Sequence, residues 1–238
     1  MLSLRGVSKT YFTQRSEVEA LSGIDLDIAE GAFVALAGRS GSGKSTLLHL
    51  LGLIDDVTQG SFAYCGVQVA GMPEHARARL RRHTSSLIFQ ETRLIDALDV
   101  RANVALGVRY RGLSPETCRM RVEEAMDFVG IGHRAAHTVP TLSAGQQRRV
   151  EIARAIASRP RILLADEPTG DLDARAAAQV LQILWQLNRG GTTIIMATHS
   201  ADYAAVAGEI VYLADGLRFD GGERLRAPLQ AADGRSAA

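Results

Sequence analysis

With 238 residues, 46% of them hydrophobic and 22% charged, the sequence can bury one large core, with or without a smaller inserted unit. Its 27 Lys+Arg against 26 Asp+Glu leave a net charge of +1, which offers no overall electrostatic basis for binding nucleic acid. The opening "MLSLRGVSKTYF" lacks a basic segment running into an apolar core and no apolar run reaches bilayer length, while Cys65 and Cys118 lack zinc or redox spacing and read as reduced thiols of a cytoplasm-like compartment.

In chain order, "IDLDIA" alternates Ile24, Leu26 and Ile28 with acids, and "AFVALA" is a continuous apolar run suited to a strand buried on both faces; together they open a core sheet. After Gly43, "KSTLLHLLGL" sets Leu47, Leu48, Leu50 and Leu51 on a helical stripe, giving strand, Gly-rich turn, helix. Residues 91–157 read as mainly helical. Within them Ser114 is an N-cap, Pro115 takes the first helical position, Cys118, Val122, Ala125, Met126 and Val129 follow at helical spacing, and Gly130 is the stop. "RILLAD" and "TTIIMATH" are short apolar strands flanking "ARAAAQVLQILWQLN", whose Val180, Leu181, Leu184 and Leu187 share a helical face. Trp185 in that helix reads as packing. This order predicts parallel strands with covering helices. "EIVYLADGLRF" predicts a hairpin about its Asp-Gly turn, and the polar tail from about Gly221 is expected to be mobile. The basic run "RARLRRH" at 77–83 has no interleaved aromatics and reads as a solvated helix face.

The chemistry gathers at strand ends. Gly38, Arg39, Ser40, Gly41, Ser42, Gly43, Lys44, Ser45 and Thr46 spell "GRSGSGKST", which satisfies G-x-x-x-x-G-K-[ST] between a buried strand and a helix. Such a loop turns successive backbone N–H groups inward as an anion nest, with Lys44 reaching the β- and γ-phosphates and Ser45 a ligand for Mg²⁺; side chains on the glycines would block that approach. Asp166 and Glu167 end the strand "RILLAD", where open α/β sheets bind ligands, and as neighbours along a strand they point in opposite directions. The expectation is that Asp166 holds Mg²⁺ while Glu167 orients and deprotonates an attacking water. His199, at the end of "TTIIMAT", could bond a γ-phosphate oxygen, whereas His49, His75, His83, His133 and His137 read as structural. Gln90, after "SSLIF", could touch both Mg²⁺ and water, and Tyr11 reads either as a platform for adenine or as a sheet tyrosine.

A second helix end, "LSAGQQRRVEIARAIA", offers free N–H groups near Gly145 with the hydroxyl of Ser143. It cannot readily serve the face of a nucleotide that the first loop already wraps. Two copies head-to-tail about a two-fold axis solve the geometry, each "LSAGQ" closing over the γ-phosphate held by the other chain.

These residues, in this order, resemble the ATP-binding cassette ATPases that drive ABC transporters. Gly38 to Thr46 are similar to the Walker A loop of that family, Gln90 to its Q-loop, and Leu142 to Gln146, with Ser143, Gly145 and Gln146, to its signature. Ile162 to Glu167 are similar to its Walker B strand with catalytic glutamate, Asp171 to Asp173 to its D-loop, His199 to its switch histidine, and Tyr11 to its adenine-stacking aromatic. The resemblance implies an α/β RecA-like P-loop NTPase core with an antiparallel β subdomain, at about 1–90 and 158–220, and an inserted helical subdomain at about 91–157. It further implies ATP and Mg²⁺ as cofactors, with Asp173 among the nucleotide contacts and Glu167, His199 and Gln90 catalytic. The implied partners are a membrane permease docked near Gln90 and a second, identical cassette, with no nucleic acid, and the implied location is the cytoplasmic face of the cell membrane. "PTGDLD" is similar to the macrolide-export and lipoprotein-releasing subgroup. Ala144 stands where a glycine is usual, which implies slower or slightly weaker closure, and Arg39 where close relatives often have proline. Soluble ATPases of this family acting in DNA repair or translation add a coiled coil, zinc modules or a second cassette; a guanine-reading N-K-x-D motif is absent, and kinases do not need the signature helix.

Overall fold

A computed structural model describes residues 1–12 and 16–219. The tail from Gly221, expected to be mobile, lies outside the described residues.

Two sheets share one core. Strands β1 (Leu2–Phe12), β2 (Glu17–Ile28), β4 (Gln59–Tyr64) and β5 (Val67–Gln68) form an antiparallel sheet in the order β2-β1-β4-β5. Strands β3 (Phe33–Ala37), β6 (Ser85–Ile88), β7 (Ile162–Asp166), β8 (Thr193–Thr198), β9 (Glu209–Ala214) and β10 (Leu217–Phe219) form the second, ordered β10-β9-β3-β8-β7-β6. All its pairings are parallel except that of β9 with β10, a hairpin whose turn carries Asp215 and Gly216 at φ 48° and 76°.

"IDLDIA" and "AFVALA", expected to open one sheet, join different ones. Their patterns state the reason: alternation in β2 leaves one face wet, whereas every residue of β3 is buried. The alternate residues Val34, Leu36, Ile162, Leu164, Ile195 and Ala197 face the antiparallel sheet and helix α1 (Lys44–Leu51), whose Leu47, Leu48, Leu50 and Leu51 are fully buried between the two sheets. Phe33, Leu163, Ala165, Ile194 and Met196 face the other way, onto a cluster that includes α3 (Val100–Ala105), α4 (Pro115–Phe128), α5 (Ala144–Ala157) and α6 (Ala174–Arg189).

Local signals hold at the helix ends. The Ser114 side chain accepts from the Thr117 N–H with Pro115 next in line, and Gly130, at φ 68°, follows the α4 C-cap. Two surface readings change. In α2 (Glu74–Thr84) the basic run is not simply solvated: Arg77 pairs with Asp56 at 2.9 Å and Glu74 at 2.8 Å, and Arg81 donates to the Leu53 carbonyl. Trp185 is 44% exposed, outside the α6 core face, with the Arg189 guanidinium 4.9 Å from its ring centroid.

Candidate active site

The carboxyl ends of β3, β7 and β8 converge on a cavity of about 1090 Å³. Its lining includes Gly38, Arg39, Ser40, Gly41, Gly43, Lys44, Ser45 and Thr46 from the loop and the start of α1, Gln90 after β6, Glu167 after β7, and His199 after β8. Strands buried along their whole length fix where these ends emerge, and the loop between β3 and α1 then has one place to turn.

No side chain caps α1. Its first N–H groups are therefore open to an anion, in the field of the helix N-terminus. Gly43 sits at φ 98°, and a Cβ there would stand 2.7 Å from the Ala20 carbonyl oxygen, so the turn tolerates no side chain. The Asp215-Gly216 hairpin closes the other flank: the Gly216 N–H donates to the Ser42 carbonyl at 3.2 Å, and the Ser22 N–H donates to the Gly216 carbonyl at 2.9 Å. Lys44 donates to the carbonyls of Gly38 and Arg39 at 2.8 and 2.9 Å. Burial lowers its pKa, against the opposing charges of Glu167 and Asp166.

Asp166 and Glu167 are both buried, but only Glu167 lines the cavity. Glu167 holds φ 43°, a left-handed conformation uncommon for a non-glycine residue, fixed by its N–H to the Ala197 carbonyl at 3.0 Å and by its own carbonyl accepting from Gly170 at 3.1 Å. His199 Nδ1 lies 3.0 Å from Glu167 Oε2. The approach is close but off the direction of a hydrogen bond, leaving that oxygen, with Asp166 Oδ1 and Ser42 Oγ, buried without a hydrogen-bond partner. Glu167 shares the cavity lining with Ser45 and Gln90, and with the buried Asp166 carboxylate these oxygens form a donor set suited to a hard cation such as Mg²⁺. Among the described residues no group of three or more His, Cys, Asp or Glu could hold a metal alone, so phosphate and water oxygens would have to complete the shell.

Tyr11 is not brought into the cavity lining. Its hydroxyl donates to Asp55 at 2.9 Å and its ring carries the Lys9 ammonium 4.8 Å from the centroid, while its cross-strand partner Val18 lines the cavity with Glu19 and Ala20. Sequence reasoning missed those three and Tyr212, Asp215 and Gly216, because only the pairing of remote strands brings them to the loop.

A second hollow, of about 330 Å³, is lined by Ser143, Ala144, Gly145, Gln146, Asp171 and Asp173 among others. Ser143 closes a capping box with Gln146, donating from its N–H to Gln146 Oε1 at 3.0 Å and accepting at Oγ from the Gln146 N–H at 3.4 Å. Gly145 is where α5 meets α6: a Cβ there would come within 2.9 Å of the Ala176 Cβ. Asp173 caps α6, accepting from the Ala176 N–H at 2.7 Å. Among the described residues Asp171 alone borders both hollows.

Residues 21–170 match the family described as "ABC transporter". The chain is 44% identical to the macrolide export ATP-binding/permease protein MacB of Chlorobium luteolum over 91% of this chain and 32% of that protein. It is 42% identical to the "uncharacterized ABC transporter ATP-binding protein MJ1508" of Methanocaldococcus jannaschii, over 91% of this chain and 96% of that one. The chain thus spans about a third of the length of the MacB relatives it matches. Among solved structures it is similar to the dimeric post-hydrolysis state of the ATP-binding cassette MJ0796 bound to ADP and Pi, with TM-score 0.84 and 36% identity over 92% of this chain and 97% of that one. It is also similar to CbiO1 of Clostridium perfringens, part of the transporter complex CbiONQ, with TM-score 0.83 and 26% identity over 97% and 91% of the two chains.

Proposed function

The chain belongs to the ABC transporter family as an ATP-binding cassette with a RecA-like core, and from that membership we propose that two copies close over two ATP molecules, hydrolyse them and drive a membrane permease. The observation that carries this reading is the separation of the two hollows: among the described residues, the Ser143 helix end and the nucleotide loop share only Asp171 at their borders. Ser143, Gly145 and Gln146 are not in the lining of the nucleotide cavity, which supports their serving a neighbour's γ-phosphate rather than their own. A two-fold pair brings each helix end to the other chain's loop.

In the closed pair, the loop N–H groups and Lys44 grip the phosphates, and the neighbour's Ser143, Gly145 and Gln146 face the γ-phosphate. Asp173 stands at that junction as the cap of α6. Tyr11, at the rim beside Val18, would meet adenine by turning its ring away from Lys9. Glu167 accepts the proton of the attacking water, and its fixed left-handed backbone aims the carboxylate inward; His199, 65% exposed at its side chain, is free to hold a phosphate oxygen. Ser45, Asp166 and Gln90 would hold Mg²⁺, which supplies charge neutralisation on the β- and γ-phosphates when bound. The groove beside Gln90, where the helical unit at about 91–157 begins, is the part that meets the permease. No described helix is long and apolar enough to cross a membrane. On the proposed reading the permease supplies the spanning part and the cassette works at the cytoplasmic face. A role in export follows the MacB relatives, which are named for macrolide export.

Replacing Glu167 by Gln tests the reading. Removing a general base lowers turnover by about 10²–10⁴-fold, while both phosphate cradles survive, so ATP should trap a dimer on a sizing column. Unchanged turnover would remove Glu167 from its role, and a monomer with bound ATP would overturn the shared-site arrangement.

A further inference from the structure

The segment that carries Gln90 leaves β6 at Ile88 and runs on through Arg93 without regular structure. Its main-chain groups must find partners elsewhere. One helix supplies them. Arg148 Nη1 donates to the Phe89 carbonyl at 2.6 Å and Nη2 to the Gln90 carbonyl at 2.7 Å. Glu151 Oε1 accepts from the Arg93 N–H at 2.7 Å, and Arg154 Nη1 donates to the Arg93 carbonyl at 2.6 Å. Arg148 and Glu151 pair with each other at 2.9 Å, with side chains only 3% and 2% exposed, and the Arg93 guanidinium lies 4.4 Å from the Phe89 ring centroid.

All three clamping side chains stand on α5, on the two turns behind the capping box of Ser143 and Gln146. A buried ion pair is poor evidence of net stability, since well-packed apolar residues usually do as well. What a fork of guanidinium donors adds is direction: it fixes two successive carbonyls at once, which a point charge cannot. Gln90 is therefore held at its backbone by the helix whose N-terminus lines the other hollow.

We propose that Arg148, Glu151 and Arg154 are positioning residues that lock Gln90 to α5, so that the loop facing one nucleotide and the helix end facing the next move as one body. The proposal rests on the reading of Gln90 and Ser143 given above. Because Gln90 shifts only if α5 shifts, occupation of one site sets the presentation of Ser143 to the other, and hydrolysis is cooperative in ATP through these three side chains.

The test uses the full chain with Arg148→Lys, which keeps the buried charge but cannot span both carbonyls, and Gln90→Ala as reference. Arg154→Met, whose lost head is 21% exposed and frees the Arg93 carbonyl, carries the same test should Arg148→Lys not fold. A misplaced reacting group costs up to about 10²-fold, so kcat should fall roughly ten- to hundredfold with the affinity of the isolated chain for a fluorescent ATP analogue within about twofold, and the Hill coefficient should fall toward one. Amide exchange should quicken at residues 89–93 and stay unchanged in β7 and β8. In the Gln90→Ala background the clamp variant should add no further loss, the mark of two residues acting through one effect. An equal loss in both backgrounds, a parallel loss of ATP affinity, or unaltered exchange at 89–93 overturns the clamp while leaving the function intact. Full turnover by Gln90→Ala alone overturns the assignment of Gln90, and the clamp with it.

Discussion

Lys44 carries a charge at odds with its surroundings. Burial lowers its pKa from the ordinary 10.5, so below 10.5 there is a window in which the unfolded chain binds a proton there that the folded chain does not. The penalty is present at neutral pH and is relieved as pH rises through that window. The ligand-free wild type should accordingly gain in melting temperature on Lys44→Met as pH rises toward 10.5; a constant difference would mean that the shift is absent. Phosphates would restore the charge, so nucleotide binding takes up a proton in the same window. Lys44→Ala should weaken ATP binding by about 10- to 100-fold, the worth of a charge-assisted hydrogen bond, as read by titration with a fluorescent analogue. This residue was legible because its pattern is local: nine consecutive positions carry it. Tyr11 was less so. Its hydroxyl and ring face are engaged by Asp55 and Lys9, and Asp55 lies 44 positions away. No spacing rule reports such a neighbour.

Among elements, α5 and α6 form the joint on which the second hollow depends. Asp173→Ala removes the cap of α6 and should cost about 1 kcal/mol of stability, most of it retained by Asp173→Asn, in thermal or urea unfolding. A loss of ATP-driven pairing well beyond that cost would assign Asp173 a nucleotide contact besides its cap. Caps, stops and fully buried strands were readable, since Ser114, Pro115, Gly130 and the run "AFVALA" act on their own backbone or their own burial. Trp185 was not, because a helical stripe marks the buried face without saying how wide it is. Val180, Leu181 and Leu184 fill it, and Trp185 falls on the flank beside Arg189. The arginines of α2 misled for a related reason: periodicity finds a polar face but not the Asp56 and Leu53 carbonyl that await it.

For the whole molecule, the proposed reading makes pairing a condition of catalysis. Ser143→Arg puts a long cation at the helix end proposed to face the neighbour's phosphate, so ATP-dependent dimers should vanish on a sizing column while each chain binds nucleotide as before. Normal dimers would show that residues 142–146 are not at the shared surface. The sheets themselves also meet at the loop, where the Gly216 N–H holds the Ser42 carbonyl, the Ser22 N–H holds the Gly216 carbonyl, and the Ala20 carbonyl closes on Gly43. A cradle seized this way is set when the chain folds, before any nucleotide arrives. Capture is then the docking of a flexible triphosphate into a rigid mould, in which the entropy surrendered belongs to the guest rather than the host.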